Sequence, residues 1–200
     1  IVLLPLYMRR PENNPYSPSD LDPPEIPIPP TRYEDLSSKP AAQIAYKHSY
    51  YSGYGIQRAV QRIYANNEQE YRNLYYRMHL EVDGPLDMVR KAVTADTSRQ
   101  KIIFRTSDHG DLLGAHGGLH QKWFNLYDEA TRVPFEIVKY GNEQSSRGVI
   151  ESVPTSHVDL IPTALALAGL DQHILEKQLA PEFTEFHPLP GRDLSPLLED

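Results

Sequence analysis

The sequence predicts an α/β fold in which strands alternate with helices. Two short segments rich in β-branched and aromatic residues, Lys101–Thr106 (KIIFRT) and Pro134–Tyr140 (PFEIVKY), have the composition and length of strands, and Val149–Val153 is a possible third. Helical patterns occupy segments 41–94 and 159–168. This alternation is typical of layered α/β folds.

The amino-acid composition excludes several classes of protein and several kinds of site. The 200 residues carry 20 Lys and Arg against 27 Asp and Glu, a net charge of −7, and this acidic balance argues against a general nucleic-acid binder. No apolar stretch reaches the roughly 18 residues that a membrane span needs. Cysteine is absent, which excludes a disulfide scaffold, a thiolate zinc site and a cysteine nucleophile within these residues. Because the first residue is Ile1 rather than Met, we expect a processed product or a piece of a longer protein.

The N-terminal region is rich in proline. Nine of the 18 prolines lie in the first 30 residues, where they exclude a long helix or a central strand. We expect residues 1–40 to form an extended surface segment with polyproline character. Composition favours a linker, and a rim loop beside a pocket is the alternative.

The helical region 41–94 has two interruptions and one irregular site. Gly53 with Gly55, and Asn66 with Asn67, predict breaks between helices. The pair Gly84-Pro85 predicts a kink or a split in the second helix. From Glu68 onward, apolar or aromatic residues recur at spacings of three and four and predict one buried helix face. They are Tyr71, Leu74, Tyr75, Met78, Val82, Leu86 and Val89.

The segment 106–135 after the first strand has the composition of a functional loop. Three of the eight histidines lie between His109 and His120, and four of the 11 glycines lie between Gly110 and Gly118. In open α/β sheets, ligands bind beyond the carboxyl ends of strands. The loop is therefore the best candidate for a binding or catalytic site.

Asp108 and His109 are candidate metal ligands. If the backbone turns at Gly110, a carboxylate and an imidazole converge on one centre and suit a divalent cation. An oxygen-rich site would favour calcium or magnesium, and more histidine would favour zinc. The alternative is Asp108 as a helix N-cap beside an exposed His109.

Three further side chains in the loop are candidates for other roles. Lys122 is placed to neutralise an anionic substrate, although a lone lysine is most often a solvated surface group. His116 and His120 are candidate ligands, acids or plain loop residues, and the loop role is favoured for His116. Trp123, the only tryptophan, is expected to pack in the core.

Several motifs in order resemble those of the sulfatase family. Segment 106–117 (TSDHGDLLGAHG) resembles the family's Ser-Asp-His-Gly…Leu-Gly-Glu-His-Gly segment, and Lys122 continues the match. The other matching segments are Tyr75-Tyr76 with Asp83, 128–135 (DEATRVPF), 159–163 (DLIPT), 168–170 (AGL) and 190–198 (PGRDLSPLL). Because several ordered motifs are far more specific than one pattern, the chain is identified as a member of this family, similar to its C-terminal portion.

The resemblance implies an alkaline-phosphatase-like α/β sandwich, a central mixed sheet flanked by helices, with residues 41–200 as the C-terminal portion of the catalytic domain. It implies a divalent metal, commonly Ca²⁺ with Mg²⁺ or Mn²⁺ as alternatives, held by two early aspartates and a later pair that matches Asp108 and His109. The family's sulfate-contacting lysine matches Lys122. His120 is a weaker candidate for contact with substrate, in a loop about one residue longer than the common form.

The family's nucleophile is a formylglycine made from Cys or Ser in a Cys/Ser-x-Pro/Ala-x-Arg motif, and its hydrated form attacks sulfur. This sequence contains no such motif, and no early Asp pair occurs in the setting that the family shows. We therefore expect a fragment of a sulfuric ester hydrolase, an arylsulfatase or glycan sulfatase, whose nucleophile lies upstream and which is inactive alone.

Two alternatives stay open. One is a phosphonate or phosphate ester hydrolase of the same superfamily, which would share the metal and the geometry. The other is a non-catalytic metal- or glycan-binding homologue. The expected partner is a small-molecule or glycan sulfate ester, with no nucleic acid and no membrane span, and the sequence leaves compartment and oligomeric state open.

Overall fold

The computed structural model describes residues 26–52, 68–141, 152–185 and 187–198. The chain divides into two compact units. One consists of Ile1–Asp96 with Phe104–Ile137, and the other of Thr97–Ile103 with Val138–Asp200. All of the candidate site residues belong to the first unit.

Two helices occupy the predicted helical region. Helix α1 (Ala41–Ser52) begins directly after Pro40, and α2 runs over Glu68–Thr94. The predicted breaks at Gly53 to Asn67 lie outside the described residues. Helix α2 continues through Pro85, so the predicted split does not occur, although proline removes one backbone hydrogen bond at that point.

Only the first half of the predicted apolar face of α2 is buried. Tyr71, Leu74 and Met78 are nearly inaccessible, whereas Val82, Leu86 and Val89 are 41%, 46% and 62% exposed. The buried half contacts the long loop between the two strands through Tyr71, whose hydroxyl lies 3.4 Å from Asp111 Oδ2. The expectation of one continuous buried face is therefore correct for the N-terminal half of the helix and wrong for the rest.

Strands β1 (Lys101–Thr106) and β2 (Phe135–Tyr140) form a two-stranded antiparallel sheet. These bounds agree with the predicted strands to within one residue. Helices and strands together confirm the α/β class. Residues 149–151 of the possible third strand lie outside the described residues, and the mixed-sheet sandwich stays a prediction.

The loop between the strands is compact and carries the core of the first unit. Short helices α3 (Ala115–Gly118) and α4 (Asp128–Thr131) lie within it, and α3 is irregular because His116 and Gly117 have left-handed backbone angles. Three buried residues of the loop form one cluster with Leu36, and three partly buried side chains pack against this cluster. The buried loop residues are Leu112, Leu119 and Ala130, and the partly buried ones are Ile44, Tyr46 and Tyr127.

The described end of the proline-rich segment packs against this loop. Residues Pro30–Tyr33 form a 3₁₀ turn, and His116 N donates a hydrogen bond of 3.1 Å to Thr31 Oγ1. Residues 26–40 therefore behave as a packed part of the unit rather than as a free linker. Residues 1–25 lie outside the described residues.

The second unit joins the two downstream motifs. Helices α5 (Leu160–Leu167) and α6 (Gln172–Leu179) follow a 3₁₀ turn, and Pro162 lies in the first turn of α5 as expected. Buried Asp159 accepts hydrogen bonds from the backbone N–H groups of Arg192 (2.7 Å) and Ser156 (2.8 Å). The Arg192 amide is the main reason that the pKa of Asp159 is lowered. These hydrogen bonds therefore join the two motifs within the second unit.

In the parts of the chain that the structure describes, no helix combines the length and apolarity that crossing a membrane requires.

Candidate functional site

A tight turn after β1 brings two distant motifs together. Gly110 N donates a hydrogen bond of 2.9 Å to the carbonyl of Ala130. A Cβ atom added at Gly110 would lie 1.9 Å from the Glu129 carbonyl oxygen, so only glycine permits this close backbone approach. The turn at Gly110 fixes the direction in which Asp108 and His109 leave the strand.

Asp108 and His109 converge at this turn. His109 Nε2 lies 3.4 Å from Asp108 Oδ2, and the two side chains are 37% and 75% exposed. His109 Nδ1 lies 2.8 Å from the Gly110 carbonyl oxygen, and this contact orients the imidazole ring at the turn. No helix begins at Asp108, which excludes the N-cap alternative.

This arrangement fits two ligands of a divalent cation. A carboxylate oxygen and an imidazole nitrogen on one exposed side of a fixed turn are atom types that such ions accept as ligands. Within the described ranges, no group of three or more His, Asp or Glu side chains surrounds one point. The metal site therefore stays a prediction.

Lys122 lies within electrostatic range of Asp108. Partial desolvation pushes the pKa of Asp108 upward, but His109, two backbone N–H groups and Lys122 together outweigh it, and the net pKa is lowered. The carboxylate is therefore ionised at neutral pH and ready to bind a cation. Lys122 therefore lies close enough to influence Asp108, and its role in a common site stays a prediction.

Asp111 holds the loop that carries Lys122, and sequence reasoning missed it. Its Oδ1 accepts hydrogen bonds from the backbone N–H groups of Leu113 (2.9 Å) and Gln121 (3.0 Å). Leu112 N in turn donates to the Gln121 carbonyl at 2.9 Å. Burial of the carboxyl group raises its pKa, and these donors partly offset the rise. The one available signal was an aspartate among loop glycines, a residue that often caps local backbone.

His120 is buried between aromatic rings. It is 1% exposed, stacks on Tyr50 with ring centroids 5.2 Å apart, and meets the edge of Tyr71 at the same distance. Burial, followed by the nearby Arg32 and Arg72, lowers its pKa to about 3, so the ring is neutral. This placement favours a packing role, and substrate contact by His120 stays a prediction without support from its position.

His116 links three parts of the first unit. Its Nδ1 lies 2.8 Å from Glu34 Oε2 and its Nε2 lies 3.1 Å from Glu129 Oε2. The ring stacks on Tyr127 with centroids 3.6 Å apart. These contacts give His116 a structural role in the loop, in line with the role that the sequence favoured.

The loop contains several strained backbone positions. Four residues other than glycine have positive φ, with values between 46° and 60°, and all lie between residues 113 and 124. They are Leu113, His116, Gln121 and Phe124. Such strain costs free energy and concentrates at functional sites in proteins.

Comparison with known proteins agrees with the motif evidence. The sequence model of the Sulfatase family matches residues 34–170. No solved structure matches the chain at a significant level.

Curated relatives carry sulfatase names. The chain is 35% identical over 99 residues to the uncharacterized sulfatase YidJ of Escherichia coli, which covers 50% of this chain and 19% of that protein. It is 37% identical over 109 residues to arylsulfatase K of Danio rerio, with coverage of 52% and 20%. It is 32% identical over 111 residues to a Δ4,5-hexuronate-2-O-sulfatase of Bacteroides thetaiotaomicron, with coverage of 52% and 22%.

The chain spans about a fifth of the length of these relatives. The family match nevertheless extends over more than half of the chain and includes the turn, the loop and both strands. The chain therefore belongs to the sulfatase family.

Proposed function

We propose that this chain supplies part of the active site of a sulfuric ester hydrolase that acts on a small-molecule or glycan sulfate ester. The observation that carries the proposal is the contact of His109 with Asp108 at one fixed turn, within electrostatic range of Lys122. Family membership and the names of the relatives support the same reaction class.

Each residue has a distinct role in this proposal. Asp108 and His109 Nε2 would hold a divalent cation, with Ca²⁺ the first choice for a site completed by further carboxylates. When bound, the cation would neutralise negative charge on the sulfate oxygens. The Lys122 ammonium would bind a sulfate oxygen or steady the departing ester oxygen as charge develops there.

The remaining groups lie outside these 200 residues in our proposal. The sequence has no Cys and no Ser-x-Pro-x-Arg motif, so a formylglycine nucleophile would come from another part of the full-length protein. The isolated chain should then show little turnover, since loss of such groups costs orders of magnitude in rate.

Paired variants of the full-length protein separate the two roles. We expect Asp108→Ala to lose bound metal in elemental analysis and to lose turnover of an aryl sulfate. Lys122→Ala should keep its metal but lower kcat/KM by about 100-fold, because it removes one charge that stabilises the transition state.

Lys91→Ala is the matched control, because this lysine is 69% exposed and pairs with Asp87 on α2. We expect it to retain both metal and rate. Full metal content in Asp108→Ala would overturn the ligand assignment. An unchanged kcat/KM in Lys122→Ala would overturn the role of the lysine.

A further inference from the structure

We infer that Trp123 is a specificity-determining residue that binds the flat face of a ring in the leaving group of the substrate. The inference rests on the proposed function and narrows its substrate class to ring-bearing sulfate esters. It replaces the core-packing role that the sequence suggested for the only tryptophan of the chain.

Trp123 presents apolar surface to its surroundings. The residue is 51% exposed rather than buried. Its indole N–H donates a hydrogen bond of 3.1 Å to Gln121 Oε1, which satisfies the only polar group of the side chain. The remaining exposed surface is therefore the hydrocarbon ring itself, and aromatic rings of this size contribute large apolar contact areas.

The ring lies beside the lysine that would contact sulfate. Lys122 Nζ is 5.1 Å from the centre of the Trp123 ring. In a ring-bearing sulfate ester, a single oxygen atom joins sulfur to an aryl ring or to a sugar carbon. A ligand whose sulfate contacts Lys122 thus brings its ring next to Trp123.

The backbone on both sides of this pair is held in place. Gln121 and Phe124 flank it, and each has φ of 60° in the left-handed region. Asp111 binds the Gln121 amide, and the Phe124 ring packs against Tyr46 with centroids 5.7 Å apart. A bulky residue at positive φ is an outlier that persists only where surrounding contacts fix it. Trp123 is therefore positioned before any ligand arrives, which lowers the entropic cost of binding.

The consequence is selectivity for rings over open chains. Aromatic rings and the apolar faces of pyranose sugars both stack on indole, whereas a linear alkyl sulfate offers little flat surface. Contacts of this kind are worth a modest free energy, and we expect their loss to weaken binding by about fivefold to tenfold.

Calorimetric titration of the full-length protein tests the inference with three ligands. Benzenesulfonate carries an aryl ring, a sulfated monosaccharide carries a pyranose ring, and inorganic sulfate carries neither. We expect Trp123→Ala and Trp123→Leu to raise the Kd of at least one ring ligand by about fivefold or more and to leave the Kd of inorganic sulfate unchanged. Whichever ring ligand loses affinity identifies the aryl or the sugar class.

Two further variants serve as controls. Trp123→Phe keeps a flat ring and should restore most of the lost affinity. Leu126→Ala changes an apolar residue that is 88% exposed in the same loop, and it should leave all three Kd values unchanged. If Trp123 serves only to pack against the rest of the protein, its variants would weaken ring ligands and inorganic sulfate equally.

That equal weakening, or no change for either ring ligand, would overturn the inference. Turnover of an aryl sulfate and of the sulfated sugar by the wild type is measured in parallel. If the wild type turns over neither, the proposed function fails, and the inference fails with it as a statement about substrate. If the wild type is active but the Trp123 variants keep its preference for ring ligands over inorganic sulfate, only the inference fails.

Discussion

Asp111 shows how much of a loop can depend on one carboxylate. It binds two backbone amides on opposite sides of the Gly-rich segment, at residues 113 and 121. Neither of these two hydrogen bonds belongs to a helix or a strand. Because Gln121 directly precedes Lys122, this carboxylate's hydrogen bond to the Gln121 amide fixes the backbone beside the lysine.

We predict that Asp111→Ala destabilises the full-length protein by about 3 kcal/mol, because two backbone amides lose their common carboxyl acceptor. It should also lower kcat more than it raises KM. Asp111→Asn keeps one carbonyl oxygen for these amides and should recover most of both losses. Denaturant unfolding and steady-state kinetics measure the two effects, and an Asn variant as impaired as the Ala variant would contradict the positioning role.

His120 gives a prediction about pH. Its pKa falls from 6.5 to about 3 on folding, so the unfolded chain binds a proton that the folded chain does not. The stability that neutral His120 provides is complete above the unfolded value and is lost as pH falls from 6.5 toward 3. At about pH 5, the loss from this residue should be about 2 kcal/mol.

The variant His120→Phe keeps an aromatic ring between Tyr50 and Tyr71 but removes the titration. Denaturant unfolding at about pH 8 and about pH 5 should show a smaller acid-induced loss of stability in the variant, by about 2 kcal/mol. Every other titrating group is common to the two proteins and cancels in the comparison. Equal losses in variant and wild type would mean that His120 is not buried in its neutral form.

At the scale of elements, the segment before α1 and the loop between the strands form one packed unit. His116 joins them through Glu34 on one side and Glu129 on the other, and both ring nitrogens face carboxylate oxygens. Lys39 completes the cluster, since its ammonium lies 2.6 Å from Glu34.

We predict that His116→Asn lowers the free energy of unfolding by about 2 kcal/mol, through loss of two polar contacts and a stacked ring. Asparagine tolerates the positive φ at this position, so the variant tests the side chain rather than backbone strain. His173→Asn is the matched control because the His173 side chain is 83% exposed. Equal unfolding free energies for the two variants would show that the cluster contributes nothing.

The elements were predictable where the local pattern decides the structure. Lys101–Thr106 forms a strand over the predicted bounds because a short β-branched segment has few alternatives. Burial was less predictable, since Val82, Leu86 and Val89 follow the helical pattern of Tyr71 yet stay exposed. Burial depends on what packs against a face, and the pattern of one helix does not contain that information.

For the candidate site too, some residues could be predicted from the sequence and others could not. Asp108, His109 and Lys122 were found from residue types, loop position and motif order. Asp111 was missed because only the path of the folded loop brings the amides of residues 113 and 121 to one carboxyl oxygen. Glu34 was missed because its partner His116 lies 82 residues away in the sequence. Trp123 was assigned to the core because tryptophan usually packs there, yet it is 51% exposed and lies between two residues with positive φ, which composition does not reveal.

At the scale of the whole molecule, our proposal is that the chain contributes one side of a site. It covers about a fifth of the length of its curated relatives and brings Asp108 and His109 together at one turn. In our account, the remaining ligands and the nucleophile are supplied by the rest of the full-length protein. The reaction class must therefore be tested on that protein.

The most direct measurement compares two esters with the same leaving group. Purified full-length protein with Ca²⁺ is assayed on 4-nitrophenyl sulfate and on 4-nitrophenyl phenylphosphonate, and kcat/KM is determined for each. Our account predicts turnover of the sulfate with the higher kcat/KM, abolished in Asp108→Ala. A higher kcat/KM for the phosphonate, or no turnover of either ester, would contradict it.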